Sequence, residues 1–231
     1  MKIIMIVLVA AMITIAYNQT LVNKEFSHKS LLPYSNIDRD EDDAIVTYGV
    51  KKISSKYNIT NVTIKVKDCN ESIAGKYVPT SKSIIICKNF INYIKYYYKY
   101  LKLEDYNKSV NATILFILYH EYAHMFDDLY DLPIVGNEEI AADQFAALNL
   151  LDDYMLYNYL EAYKQLIDDT SDIPAWDEHP TYRQHYYNLL CLLYGYDSDT
   201  YSKFKGELHD RAERCDYEYN SISTAWSELL D

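Results

Sequence analysis

Residues 112–126 read ATILFILYHEYAHMF, and residues 136–143 read GNEEIAAD. The first stretch has helical character throughout and is apolar on nearly every side. Its few polar residues are therefore the informative ones. His120 and His124 are four apart, so both imidazoles leave one helix face. Glu121 stands one step round from them. The second stretch opens a new helix after a break near Pro133 and Gly136. There Glu139 and Asp143 are again four apart and share a face. Two helices joined by the turn at 127–136 would bring the two faces together.

Two imidazole nitrogens on one face suit Zn²⁺, and a catalytic zinc takes three protein ligands and leaves one position open. Glu139 is the expected third ligand beside His120 and His124, with Glu138 as its rival. Asp143 could then accept the remaining N–H of His120 or His124 and fix its tautomer. In an H-E-x-x-H helix the glutamate, here Glu121, reaches the activated water rather than the metal. Zinc brings the pKa of such a water to about 7, within reach of a carboxylate base. The expectation is one zinc ion and a hydrolytic site. Asp127, Asp128 and Asp131 read as loop or cap residues rather than a second metal site.

Working outward, the chain has 231 residues, of which 49% are hydrophobic, enough for a packed core and too many for a disordered chain. Only 5 glycines and 5 prolines count against an all-β fold built on tight turns. The formal net charge of -12 argues against a nucleic-acid partner and against an anionic membrane surface. Residues 90–103, FINYIKYYYKYLKL, read as a tyrosine-studded helix, and 43–56 as another, interrupted by Gly49. Residues 62–69 alternate like a half-buried strand, and 76–80 and 83–87 read as two short strands around a turn. From 110 to about 168 the pattern is helical apart from the break near Pro133, and shorter helical pieces follow Pro180. The plan is α+β: a small antiparallel sheet or hairpin packed on a mainly helical core.

Lys2 precedes an apolar run over residues 3–16 that is too short for a membrane span of about 20 residues. It fits a secretory signal cleaved after Ala16; an uncleaved anchor is the alternative. The expected organisation is a signal at 1–16, a polar arm at 17–40, and a single domain at 41–231. The mature protein would be extracellular or periplasmic, with no stable insertion in a membrane. In that setting four cysteines suggest two disulfides, for which three pairings exist. Local pairing, Cys69 with Cys87 and Cys191 with Cys215, is preferred.

The H-E-x-x-H at 120–124 followed by E-x-x-x-D at 139–143 resembles the gluzincin metallopeptidases, the thermolysin and neprilysin type. It does not resemble the metzincins, which need H-x-x-G-x-x-H; after His124 this chain reads MFDDLYDLP. A closer resemblance is to a short secreted family of metallopeptidase type and unassigned function. The shared blocks are DLPIVGNEEIAADQFAA at 131–147, DEHP-x-x-R at 177–183, N-L-L-C-x-L-Y-G at 188–195, R-A-x-x-C-x-x-E-Y at 211–219 and W-x-x-L-L at 226–230. The likeness covers most of 60–231, and the family's usual glycine before the second histidine is Ala123 here. The resemblance implies a gluzincin-like zincin fold, a peptide or protein substrate, and disulfides at all four cysteines. It also implies an oxyanion-stabilising His or Tyr from the C-terminal part, for which His179 is the candidate. Arg183 resembles an arginine that holds a substrate carbonyl or orients the site; both residues could instead serve the helix start near Pro180. His185 and His209 have no supporting pattern and read as surface or structural.

Two functions from different classes follow. The first is a secreted zinc peptidase, an endopeptidase by preference, since the glycine-rich motif of the clan's exopeptidases is missing. The second is a catalytically silent binding or effector protein that keeps the zincin fold. Glu121 counts for the first, because a silent protein has no need of the base.

Overall fold

A computed structural model describes residues 39–59, 62–69, 73–167 and 176–230, with the side chains of 39–43, 153 and 166 left aside. The signal expected at 1–16 and all but the last two residues of the arm expected at 17–40 lie outside the described residues.

The organising element is the long helix α3 (Tyr106–Tyr130), which holds neither glycine nor proline. From Val110 to Phe126 nearly every side chain is buried. The reason is that α3 is covered on all sides: by α1 (Arg39–Tyr57), α2 (Lys88–Tyr100), α4 (Glu138–Leu148) and α5 (Met155–Tyr163), and by two strands. Each fully buried Leu, Ile or Phe along it stabilises the fold by roughly 1.5–3 kcal/mol. Gly49 explains how α1 comes so close: a Cβ there would meet Leu115 Cδ2 at 2.6 Å and Leu118 Cδ2 at 2.7 Å. The glycine that interrupts the helical pattern at 43–56 is thus the crossing point of two helices.

Helix α3 ends where Asp131 turns into the left-handed region, φ 49°, with its N–H bonded to the Asp127 carbonyl. The chain returns through Gly136, φ 112°, and Asn137 caps α4 by accepting the Ile140 N–H at 3.0 Å. Helix α4 then packs along α3.

The sheet has three strands, β1 (Thr63–Lys67), β2 (Gly75–Val78) and β3 (Ser83–Cys87), in the order β1-β3-β2. β2 and β3 form the expected antiparallel hairpin, but β1 runs parallel to β3, so the sheet is mixed rather than purely antiparallel. β3 is the middle strand, and its five residues SIIIC are all buried. A continuous apolar run takes the centre of a sheet, which leaves β1 to pair on its far edge. Cys69, just after β1, is joined to Cys87 at the end of β3.

The helical run expected from 110 to about 168 carries a second break, at 149–154. Asn149 stops α4: its amide donates to the Phe145 carbonyl at 2.8 Å, and its Oδ1 accepts from Lys56 Nζ at 2.9 Å. Asn competes with the helix for backbone partners in this way. Tyr154, at φ 58°, then starts α5 in a new direction. Helix α6 (Tyr182–Tyr196) opens on a capping box of Thr181 and Gln184. The short α7 (Lys205–Leu208) leads to α8 (Cys215–Leu230), which packs on α6 and is tied to it by Cys191–Cys215. No helix among the described residues is long and apolar enough to cross a membrane.

Candidate metal centre

His120 and His124 project from the middle of α3, and Glu139 comes from the first turn of α4. One ligand atom from each lies within 4.8 Å of the others. His120 Nε2 is 3.1 Å from His124 Nε2 and 3.1 Å from Glu139 Oε2; His124 Nε2 is 3.6 Å from Glu139 Oε1. Ligands bonded at about 2.0–2.1 Å to a tetrahedral zinc stand roughly 3.3 Å from one another. The three spacings bracket that edge length, and two imidazoles with one carboxylate are a donor set that zinc accepts. The residues present therefore fit a zinc ion.

The imidazoles are held from behind. His120 Nδ1 bonds Asp143 Oδ1 at 3.0 Å, and His124 Nδ1 bonds Glu138 Oε1 at 2.6 Å. With each Nδ1–H given to a carboxylate, both Nε2 atoms are left facing Glu139, which is how a supporting carboxylate sets the tautomer of a ligand. Glu138, weighed as a rival to Glu139, thus sits on the opposite side of His124.

In the metal-free protein the cluster is charged. Burial would push His120 down, yet its hydrogen bonds to Asp143 and Glu139 hold it well above the ordinary histidine value. His124 is raised against burial too, first by Glu139 and then by Glu138. Burial would raise Glu139, but bonds from His120, His124 and His179 hold it far below the usual carboxylate range. Asp143 is depressed against burial by His185 and His120.

Glu121 is 8% exposed and points toward the hairpin. Burial pushes its carboxyl up, against the pull of His120, His124 and the Tyr77 backbone N–H that it accepts. Gly75 makes this approach possible: a Cβ there would meet Ile117 Cγ2 at 2.8 Å and the Ile85 carbonyl at 3.1 Å. Glu121 Cγ itself would be 3.4 Å away.

His179 enters from the loop before α6. Its Nε2 is 3.3 Å from Glu139 Oε2, and Asp177 Oδ1 accepts from both its backbone N–H, at 2.9 Å, and its Nδ1, at 3.0 Å. The bond to Glu139 is the main reason His179 is pushed up to about 9; partial burial opposes it and Asp177 adds to it. Asn137, the cap of α4, also donates its side-chain amide to the Glu178 carbonyl and so ties this loop to the ligand helix. Arg183 stays on the exposed side of α6 and makes no hydrogen bond or ion pair with a described residue. His209 is exposed as well.

His185 is 9% exposed and bonds the second oxygen of Asp143, Oδ2, at 2.7 Å. This contact is not legible in the sequence, because 42 residues separate the partners and no motif links them. Asp177 was missed as well, although it stands two residues before His179 in the same DEHP block.

No curated protein and no solved structure matches the chain. One family model does, over residues 41–230, and its description is "Putative metallopeptidase". That span runs from the first turn of α1 to the end of α8 and contains every residue of the centre, so the chain belongs to this family.

Proposed function

We propose that the protein is a secreted zinc-dependent peptidase, an endopeptidase, that hydrolyses peptide bonds. The observation that carries this is the convergence of His120, His124 and Glu139, with Glu121 buried beside them. Family membership supports a metal and a peptide or protein substrate. Bound by these three residues, a zinc ion supplies Lewis-acid chemistry that acidifies water and polarises a carbonyl.

Glu121 takes a proton from the attacking water as its oxygen bonds to the carbonyl carbon, and passes that proton to the departing amine nitrogen as the C–N bond breaks. His179 is assigned to the oxygen that gains negative charge: Asp177 holds its Nδ1, and its Nε2, which rests on Glu139, would turn to that oxygen. Arg183, exposed one turn on, is assigned to the substrate beyond that oxygen. β2 is an edge strand, and its Tyr77 N–H already touches Glu121. An extended peptide adding to that edge would lay its scissile bond beside Glu121.

The test is Glu121→Gln. The variant is expected to bind zinc like the wild type and to lose about 10²–10⁴-fold in kcat on a peptide library, the range a positioned general base contributes. Chelator-sensitive cleavage by wild type with full activity in Glu121→Gln would refute this mechanism. Zinc uptake without cleavage anywhere in the library would leave a silent binding protein.

A further inference from the structure

We propose that His185 is a positioning residue for the metal centre: by holding Asp143 it fixes the orientation in which His120 presents Nε2. The inference rests on reading His120, His124 and Glu139 as zinc ligands.

Four side chains from four helices form one buried chain. Tyr159 OH, from α5, is 2.9 Å from His185 Nε2, on α6. His185 Nδ1 is 2.7 Å from Asp143 Oδ2, on α4, and Asp143 Oδ1 is 3.0 Å from His120 Nδ1, on α3. Burial holds the Tyr159 hydroxyl well above its ordinary pKa, so it keeps its proton. His185 Nε2 pairs with that hydroxyl, and its Nδ1–H donates to the Asp143 carboxylate, which can only accept. Every polar atom in the chain is then matched, and the order of donors ends on His120 Nδ1–H given to Asp143.

The geometry around His185 is closed. Its ring lies 4.6 Å from the Tyr163 ring centre and 5.5 Å, edge-on, from Phe116. Phe116 stacks on Tyr159 at 4.2 Å with an interplanar angle of 2°. A carboxylate with one oxygen bound can turn about its Cβ–Cγ bond; with both oxygens bound from opposite sides it cannot. Asp143 is 8% exposed, so an oxygen that loses His185 has little access to water. A histidine that only filled the core would need none of this alignment. Outer partners of this kind change metal affinity by about 10–100-fold.

The full chain, stripped of metal, would be titrated with Zn²⁺ against a chromophoric chelator and loaded with Co²⁺ for its visible spectrum. His185→Leu is expected to bind zinc about 10–100-fold more weakly and to change the cobalt bands. His185→Asn, whose amide can donate from near the Nδ1 position, is expected to recover most of that loss. Tyr159→Phe keeps the stack on Phe116 and removes only the hydroxyl; it is expected to weaken binding less, in the same direction. A folded His185→Leu with wild-type affinity and spectrum overturns the proposal, since a merely structural residue would lower the melting temperature and leave both unchanged. If His185→Leu does not fold, Tyr159→Phe decides: wild-type values in it overturn the proposal. A wild type that takes up zinc and cleaves no peptide removes the peptidase reading and leaves this inference standing; one that takes up no metal removes both.

Discussion

Three imidazoles compete for the two oxygens of Glu139, whereas Glu138 reaches only the rear nitrogen of His124. The two neighbouring glutamates should therefore behave differently. Glu139→Ala is expected to abolish stoichiometric zinc binding, and Glu138→Ala to weaken it about 10–100-fold. Chelator competition checks both, and the reverse ranking would exchange the two assignments. The protons on the centre give a second expectation. A raised His120 keeps its charge above pH 6.5 in the metal-free protein, and zinc needs the neutral ring. Zinc uptake at pH 7 should release protons, seen as a binding enthalpy that changes with the ionisation enthalpy of the buffer. The stability that His120 lends the metal-free protein is fully present below about pH 6.5 and is lost as pH rises through the higher folded value. The metal-free protein should thus melt lower as the pH climbs above 6.5, while zinc affinity increases. Buffer-independent enthalpies would contradict this. At this scale the grouping of His120, His124 and Glu139 was legible, because a spacing of four on a helix is a local rule. His185 was not legible, because its place depends on how α6 packs.

Helices α3 and α4 could be read from periodicity, since helical spacing is written within one turn of chain. The pairing of β1 could not: its partner was decided by which strand is buried on both faces, a property of the whole sheet. The stop at Asn149 was hidden for a similar reason, since Lys56 and Tyr57, which hold the side chain, come from α1. In the tyrosine-studded helix, Tyr98 is buried and its hydroxyl is 3.0 Å from Thr113 Oγ1. The element with the sharpest bearing on function is β2. Gly75 lets it lie against α3, and the Tyr77 carboxylate partner Asp128, at 2.6 Å, anchors its other end to the same helix. Lys82, in the hairpin turn, pairs with Asp128 as well. Gly75→Ala forces a Cβ to 2.8 Å from Ile117, so the strand must shift away from Glu121. The expected outcome is lower kcat/KM on peptides with zinc affinity unchanged, because none of the proposed zinc ligands lies on β2. Loss of metal in this variant would show that the strand supports the ligands rather than Glu121 and the substrate.

Across the whole molecule the disulfides and the proposed metal would tie different parts of the same fold. The disulfides join β1 to β3 and α6 to α8, over separations of 18 and 24 residues. Loops of that size are worth roughly 3 kcal/mol each in the chain-entropy model. The proposed metal centre would tie α3 to α4, and through Asp143 and the 177–180 loop it would engage the start of α6. Neither cystine contains a residue of the centre, so the two contributions should add. A ligand that binds only the folded chain stabilises it by about 2.7 kcal/mol at 100 times its Kd. For a chain of this length that corresponds to a shift of about 5–11 °C. Melting the protein with zinc or with chelator, each with and without reductant, tests the scheme. Chelation should lower the melting temperature by about that amount in the oxidised protein, and reduction should lower it further. In His120→Ala the chelator should have no effect. A chelator shift of wild-type size in that variant would place the stabilising metal somewhere other than on His120, His124 and Glu139.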